Sequence, residues 1–241
     1  MAETIAERIA RIRERIDRAA SESGRRGADI TLVGASKMND AAACREAVAA
    51  GIDALGENRV QEMLGKLSEH AYDGAPLHFI GHLQRNKVRQ VVGRVSLIQS
   101  VGSVALLREI DRAAAAHGAE EEGGAPMVQP ILLEVNIGAE ASKSGFAPEE
   151  LSAAAETALT LAHVRVLGLM TIPPADSDPE TNRGYFDKVF RLYVDMGRNL
   201  FHNRLHVLSM GMSGDYEDAI RAGATMVRVG TAIFGARHYE H

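Results

Sequence analysis

The sequence predicts an α/β protein, a single (β/α)8 TIM barrel with an extra helix at its N-terminus. Short apolar runs of strand length recur through the chain, and segments of helical character lie between successive runs. Eight such runs in a chain of 241 residues match the strand number and the size of a TIM barrel. An open doubly wound sheet is the alternative architecture, but no G-x-G-x-x-G motif follows the first strand.

The chain begins with a predicted amphipathic helix and continues with the barrel elements. Isoleucines recur at helical spacing from Ile5 to Ile16, and Gly24 ends the segment, so residues 1–24 form the leading helix. The predicted strands are Ile30–Ser36, Ile52–Glu57, Leu77–His82, Val95–Val101, Val128–Asn136, Val164–Thr171, Leu205–Met210 and Met226–Ile233. The predicted helices include Asp40–Ala50, Arg59–Glu69, Val104–His117, Pro148–Ala162 and Pro179–Leu200. We expect one domain over residues 1–241, with Gly118–Pro126 as a solvated loop.

The bulk composition argues against several classes of function. A hydrophobic content of 46% is enough for a full core. The net charge of −5 and the acidic pI argue against nucleic acid or an anionic membrane as the partner. No run approaches the roughly 18 apolar residues of a membrane span, and no signal peptide opens the chain. These features predict a cytoplasmic protein without nucleic-acid or membrane partners.

Neither cysteine nor histidine chemistry predicts a metal site. Cys44 is the single cysteine, which excludes an internal disulfide and a cysteine-based zinc site, and we expect a buried helix thiol. His78 and His82 share a strand face, and His202 and His206 lie four residues apart, but no carboxylate cluster accompanies either pair. Hydrogen-bonded histidines are the preferred interpretation.

Polar residues concentrate at the carboxyl ends of the predicted strands. In a TIM barrel these ends and the loops after them build the functional site. The strand ends carry Ser36-Lys37, Glu57-Asn58, His82, Asn136, Met170-Thr171, Ser209 and Gly230-Thr231. This concentration predicts a site on that face of the barrel.

The last two strands run into loops rich in glycine, serine and threonine, Leu208–Gly214 and Met226–Gly235. Such loops offer backbone N–H groups and hydroxyls to an anion without side-chain bulk. They predict a phosphate cradle, although glycine-rich turns also close barrels without binding anything.

Two cationic side chains stand out on strands. Lys37 ends the first predicted strand on the face of Ala35, which leaves room for the lysine stem. In a partly apolar mouth the pKa of such an amine falls, and it attacks aldehydes to form a Schiff base; a surface lysine is the alternative. Arg228 lies in mid-strand between valines. Facing inwards it could donate a hydrogen bond to a ring nitrogen, and facing outwards it would pair with a helix carboxylate.

One ligand satisfies the lysine, the arginine and the cradle together. Pyridoxal 5′-phosphate (PLP) carries an aldehyde, a ring nitrogen and a phosphate. A cationic partner would leave that ring nitrogen without a proton, and this would weaken the stabilisation of a carbanion.

A series of motifs runs in one order from the first predicted strand to the C-terminus: Ser36-Lys37, Gly56–Glu62, His78–Lys87, Val135–Ile137, Ser142–Gly145, Gly168–Met170, Leu208–Ser213 and Met226–Arg237. This series resembles the YggS/PROSC family of pyridoxal phosphate homeostasis proteins. The chain departs from the family in Met38-Asn39-Asp40, where Thr-Lys-Pro is frequent, and in Leu77, where tryptophan is frequent. Asn39 or Asp40 can still cap the next helix.

The resemblance implies a barrel similar to the N-terminal domain of alanine racemase, with the cofactor held as a Schiff base on Lys37. It implies cofactor contacts from Asn58, Met170, Ser209, Met210, Arg228, Gly230 and Thr231, with Arg228 facing the pyridine nitrogen. Lys143 also matches a family motif. The implied role is PLP homeostasis, with the cofactor buffered by a monomer or delivered in transient contacts to PLP-dependent apoenzymes.

Strong catalytic turnover is not expected. Racemisation needs acid–base groups on both faces of the substrate adduct, and in alanine racemase one comes from a second domain that we do not expect in this chain. The alternative is a PLP-dependent amino acid racemase that uses Lys37 and a second base, either Tyr216 or a histidine at the mouth of the barrel. A class I aldolase would use Lys37 without the cofactor.

Overall fold

The computed structural model of the protein describes residues 3–120, 127–140, 144–175 and 177–235, with only the main chain at 118–120. Lys143 and most of the predicted Gly118–Pro126 loop lie outside the described residues.

The strands form a closed barrel in sequence order, and every described strand pair is parallel. The strands are β1 Thr31–Ala35, β2 Ala54–Glu57, β3 Leu77–Phe79, β4 Leu97–Val101, β5 Gln129–Val135, β6 Val164–Thr171, β7 Val207–Ser209 and β8 Met226–Val229. The predicted TIM barrel is confirmed, and the doubly wound alternative is wrong, because an open sheet would not pair its first strand with its last.

The helices are α1 Ile5–Glu22, α2 Ala41–Ala49, α3 Val60–Ser68, α4 Val104–Glu120, α5 Leu151–Leu159, α6 Pro179–Asn199, α7 Tyr216–Arg221 and α8 Thr231–Phe234. Short 3-10 helices occur at Gly27–Asp29, Arg85–Gln90 and Pro148–Glu150. Each predicted helix is present. No helix among the described residues combines the length and the apolar character that a membrane crossing requires.

The leading helix α1 has the capping and the amphipathic pattern that its sequence predicts. The Thr4 hydroxyl accepts from the Glu7 N–H at 3.2 Å, and the Glu7 carboxylate accepts from the Thr4 N–H at 2.8 Å. The apolar face is buried through Ile5, Ile9, Ile12 and Ile16. Asp40 caps α2 through its side chain alone, since its carboxylate accepts from the Ala43 N–H at 2.8 Å.

Several predicted boundaries are wrong. Strand β3 ends at Phe79 and not at His82, so His82 follows the strand and does not share a strand face with His78. The last strand ends at Val229 and not at Ile233, because the Gly230 carbonyl accepts from the N–H groups of Ile233 and Phe234, both at 2.9 Å, and begins a helical turn. Helix α4 continues to Glu120, so the predicted loop does not begin at residue 118; the alanine-rich stretch before it sustains the helix.

Contacts along the chain cluster into two compact units, Met1–Leu77 with Met210–His241, and His78–Ser209. The first unit contains β1, β2 and β8, and its core includes Ile16, Leu32 and Leu55. The second contains β4 to β7, and its core includes Ile98, Leu107 and Phe186. The single domain expected over residues 1–241 stays a prediction.

Candidate functional site

Lys37 lies in a short turn directly after β1. Ser36 extends the pairing with β2 by donating its N–H to the Gly56 carbonyl at 3.0 Å, and Lys37 follows as a half-buried residue. Met38 then takes the left-handed backbone conformation with φ 62°, which is uncommon for a residue other than glycine. The lysine predicted at the strand end therefore lies in a turn with an uncommon backbone conformation at the next residue.

The end of β8 lies beside the end of β1. Arg228 is the register partner of Val33, and the residue is only 3% exposed. A Cβ added at Gly230 would approach the Ala35 carbonyl oxygen to 3.3 Å. The glycine thus allows the two strand ends to come close, which brings the Lys37 turn near the β8 turn.

The segment after β7 is tied to β8 through backbone hydrogen bonds. Met210 donates its N–H to the Met226 carbonyl at 3.2 Å, and Arg228 donates its N–H to the Gly211 carbonyl at 3.0 Å. Gly211 has φ 93°, and a Cβ there would lie 2.6 Å from the Ala219 Cβ. Only glycine fits this position without displacement of α7.

Ser213 is a residue of this turn that the sequence reasoning did not single out. Its hydroxyl oxygen accepts from the Gly230 N–H at 3.2 Å and from the Ala232 N–H at 3.5 Å. Thr231 is exposed at the start of α8. The only available signal was the serine in the glycine-rich run after β7.

Asn58 follows β2 and is half-buried. Its side-chain oxygen Oδ1 is buried and has no hydrogen-bond partner within the described residues. Buried polar atoms are almost always satisfied in folded proteins, so an atom of this kind indicates a missing partner. The first unit contains six residues of the predicted set, Lys37, Asn58, Met210, Arg228, Gly230 and Thr231.

The second unit contains the remaining predicted residues, Met170 and Ser209. They are register partners on β6 and β7, and both are fully buried. The Ser209 hydroxyl donates to Gln99 Oε1 at 2.7 Å, and Gln99 Nε2 lies 3.0 Å from His78 Nδ1. Burial lowers the pKa of His78 to about 4, so the ring is neutral and Nδ1 acts as an acceptor. The hydrogen-bonded histidine expected here is confirmed for His78.

A buried ion cluster, which we name the α3 cluster, consists of Glu57, Glu62 and Lys66. The Lys66 ammonium contacts Oε1 of both glutamates at 2.7 Å, and the side chains of Glu57 and Lys66 are 0% and 7% exposed. Burial lowers the pKa of Lys66, but the hydrogen bonds to the two carboxylates outweigh this effect and raise it overall. Glu62 and Lys66 are four residues apart, a spacing that from sequence alone indicates an exposed surface pair.

Two neutral groups surround the α3 cluster. The Tyr72 hydroxyl donates to Glu57 Oε1 at 3.1 Å, and burial raises the pKa of this phenol. Burial also raises the pKa of the Cys44 thiol to about 11, so the thiol stays protonated. The expected buried helix thiol is confirmed.

Other predicted residues lie in less specific surroundings. Glu134 on β5 is buried and accepts from the Ser144 hydroxyl at 3.0 Å. His82 is exposed. Within the parts of the chain that the structure describes, no three histidine, cysteine, aspartate or glutamate side chains are grouped to hold a metal ion.

Tyr216, the second base that a racemase would need, is 1% exposed. Its hydroxyl has no hydrogen-bond partner among the described residues, and burial raises its pKa. A phenol in this environment is a poor proton acceptor at neutral pH.

Comparison with known proteins identifies the family. Residues 8–238 match the family model for the N-terminal domain of alanine racemase. A protein of Aquifex aeolicus named pyridoxal phosphate homeostasis protein is 43% identical over 233 residues, which cover 97% of this chain and 98% of the relative. A protein of Pseudomonas aeruginosa with the same name is 42% identical, over 98% of this chain and 97% of its own.

A solved structure gives the same result. PipY of Synechococcus elongatus, in a structure with PLP bound, superposes with a TM-score of 0.81 at 33% identity, covering 96% of this chain and 100% of PipY. Both the sequence relatives and the solved fold thus agree with the motifs in the chain. This chain belongs to the YggS/PROSC family of pyridoxal phosphate homeostasis proteins.

Proposed function

We propose that this protein binds PLP as a Schiff base on Lys37 and serves in intracellular PLP homeostasis, by buffering the cofactor and delivering it to PLP-dependent apoenzymes. The observation that carries the proposal is the placement of the Lys37 turn beside the end of β8, where Arg228 is buried and Gly230 allows close approach. The relatives named for PLP homeostasis support the same role.

Polar groups of the first unit support this proposal. The unpartnered oxygen of Asn58 is a hydrogen-bond acceptor that the described chain does not satisfy. The N–H groups of Gly230 and Ala232 converge on the Ser213 hydroxyl, so several polar groups meet in the turn proposed to receive the phosphate. When bound, PLP supplies an aldehyde for a lysine amine and a pyridine ring that withdraws electrons.

Each residue of the proposed site has a role that follows from its chemistry. The Lys37 amine would be the nucleophile that attacks the aldehyde carbon of PLP, with loss of water. Arg228 is always charged and only donates hydrogen bonds, so it can approach the pyridine nitrogen only while that atom is unprotonated. On the family resemblance, we assign phosphate contacts to Ser209, Met210, Gly230 and Thr231. We assign the lining of the same mouth to Asn58 and Met170.

A holding role suits these groups better than catalysis. A cationic neighbour keeps the pyridine nitrogen neutral and limits how far the ring can stabilise a carbanion. The buried Tyr216, with its raised pKa, is a poor second base for a racemase. We therefore propose a cytoplasmic, monomeric carrier without strong turnover.

Absorbance spectroscopy of the purified protein tests this function. We expect a visible Schiff-base band after addition of PLP, its loss on borohydride reduction, and a reduced adduct located at residue 37 by peptide mass. Lys37→Ala should lose the band and keep part of the affinity, since the phosphate contacts remain. Lys188→Ala, which changes an exposed lysine on α6, is the matched control. The proposal fails if wild-type protein shows no band, or if Lys37→Ala keeps the same spectrum.

A further inference from the structure

The α3 cluster lies outside the proposed cofactor contacts. All three N–H donors of its buried Lys66 ammonium are nevertheless hydrogen-bonded. Lys66 Nζ donates to Glu57 Oε1 and Glu62 Oε1, both at 2.7 Å, and to the Ser36 carbonyl oxygen at 2.8 Å. An ammonium has three donors and no acceptor, so these contacts satisfy it completely. Burying such charges is costly unless they are paired, and a core of apolar side chains would avoid that cost.

The third contact of Lys66 is with the backbone next to Lys37. Lys66 holds the carbonyl of Ser36, the residue before Lys37. Glu62 accepts from the N–H of Met38, the residue after it. Glu62 and Lys66, an i,i+4 pair on α3, therefore bind the main chain immediately after and immediately before the proposed Schiff-base lysine.

Further contacts hold the same turn. Asn39 Nδ2 donates to the Lys37 carbonyl oxygen at 3.0 Å, and the Ser36 hydroxyl donates to Glu57 Oε1 at 2.6 Å. Met38, with φ 62°, occupies a backbone region that is rarely populated without support from its surroundings. Met38 therefore combines a left-handed backbone conformation with a hydrogen bond from its N–H to Glu62.

We infer that Glu62 and Lys66 are positioning residues, a charged clamp that fixes the backbone of Lys37 and so the direction in which its amine leaves the end of β1. The part of this inference that concerns cofactor uptake rests on the proposed function. The clamp itself does not, because it is a property of the protein without ligand. Pre-organisation of this kind places a nucleophile without a separate ordering step.

Hydrogen exchange of the cofactor-free protein tests the clamp directly. Glu62→Ala removes the acceptor of the Met38 N–H, and we expect that amide to exchange faster by about tenfold, as for loss of one hydrogen bond to a charged group. Glu62→Gln keeps an acceptor oxygen and should retain part of the protection. Glu69→Ala, which removes an exposed glutamate just beyond the same helix, is the matched control and should leave the Met38 amide unchanged. Unchanged protection in Glu62→Ala would overturn the inference.

PLP titration tests the consequence for Lys37 in the same variants. We expect Glu62→Ala to bind PLP about tenfold more weakly and to form the borohydride-trapped adduct at residue 37 more slowly, with Glu69→Ala equal to wild type. If the Met38 amide is deprotected but uptake is as fast and tight as in wild type, the positioning role is wrong.

The two arms separate failure of the clamp from failure of the proposed function. Absence of any adduct in wild type and in Glu69→Ala would refute the proposed function, and the exchange result alone would then decide whether the clamp exists. Thermal unfolding of each variant establishes that the comparison is made between folded proteins. Glu62 is the partly exposed member of the cluster, with 20% of its side chain accessible, so its replacement leaves the buried Glu57–Lys66 pair in place.

Discussion

His78 is neutral in the folded protein, and this makes stability depend on pH. Burial lowers its pKa from 6.5 to about 4, and Gln99 binds the unprotonated Nδ1. Between those two values the unfolded chain takes up a proton that the folded chain refuses, so the free energy of unfolding falls as the pH drops from 6.5 towards 4. Above 6.5 this group has no effect.

We predict that protonation of His78 in the unfolded chain lowers the free energy of unfolding by about 3 kcal/mol as the pH falls from 6.5 to 4. Urea unfolding at several pH values measures it. His78→Gln keeps a polar side chain near Gln99 without the titration, and its stability should depend less on pH than that of wild type. His82→Gln, at an exposed histidine, is the control and should follow wild type. Parallel curves for wild type and His78→Gln would contradict the assignment.

Individual residues differ in how far the sequence predicts them. Lys37 and Arg228 are recognisable because a cation next to apolar strand residues needs a specific reason. Lys66 is not recognisable in this way, because its spacing from Glu62 matches an ordinary exposed helix pair. Its burial depends on the contact between α3 and the turn after β1 that holds Lys37. Tertiary contacts of this kind leave no local pattern in the sequence.

At the scale of elements, the turn between β7 and α7 requires glycine at position 211. A Cβ there would lie 2.6 Å from the Ala219 Cβ and 2.9 Å from the Tyr216 Cα, and the φ of 93° is unfavourable for any other residue. We predict that Gly211→Ala lowers the free energy of unfolding by at least about 2 kcal/mol, because strain and overpacking act together.

Gly65→Ala is the matched control for this prediction. It lies inside α3, and a Cβ there meets nothing within 4 Å. Helix propensity predicts that this change stabilises the protein by about 0.5–1 kcal/mol. Chemical denaturation of both variants measures the difference, and equal effects of the two substitutions would show that the turn tolerates a side chain.

The elements themselves are well predicted from the sequence, and the errors have physical causes. All eight strands follow from short apolar runs bounded by turn residues. The end of β8 was misjudged because Thr231–Phe234 is as apolar as a strand, and only the hydrogen bonds to the Gly230 carbonyl reveal a helical turn. Periodicity cannot separate a four-residue helix from the last residues of a strand.

At the scale of the whole molecule, alternation and strand count were sufficient to predict the closed barrel. Eight parallel strands in sequence order leave no edge, since β1 pairs with β8. The isolated bridge between Phe146 and Val135, the last residue of β5, was not predictable, because a single bridging pair has no periodic pattern. The barrel fixes which loops are neighbours, and the loops carry the proposed chemistry.

Binding of PLP should stabilise the entire folded protein through mass action. A ligand that binds only the folded state adds about 2.7 kcal/mol to the free energy of unfolding at one hundred times its dissociation constant. We predict a rise in the midpoint of thermal unfolding that grows with PLP concentration. Pyridoxine phosphate, which has the phosphate and the ring but no aldehyde, should raise the midpoint less at equal concentration, because it offers Lys37 no aldehyde carbon to attack.

Lys37→Ala should reduce the response to PLP to the level of that analogue, and Lys188→Ala should leave the response intact. Equal shifts with the two ligands in wild-type protein would contradict a covalent contribution from Lys37.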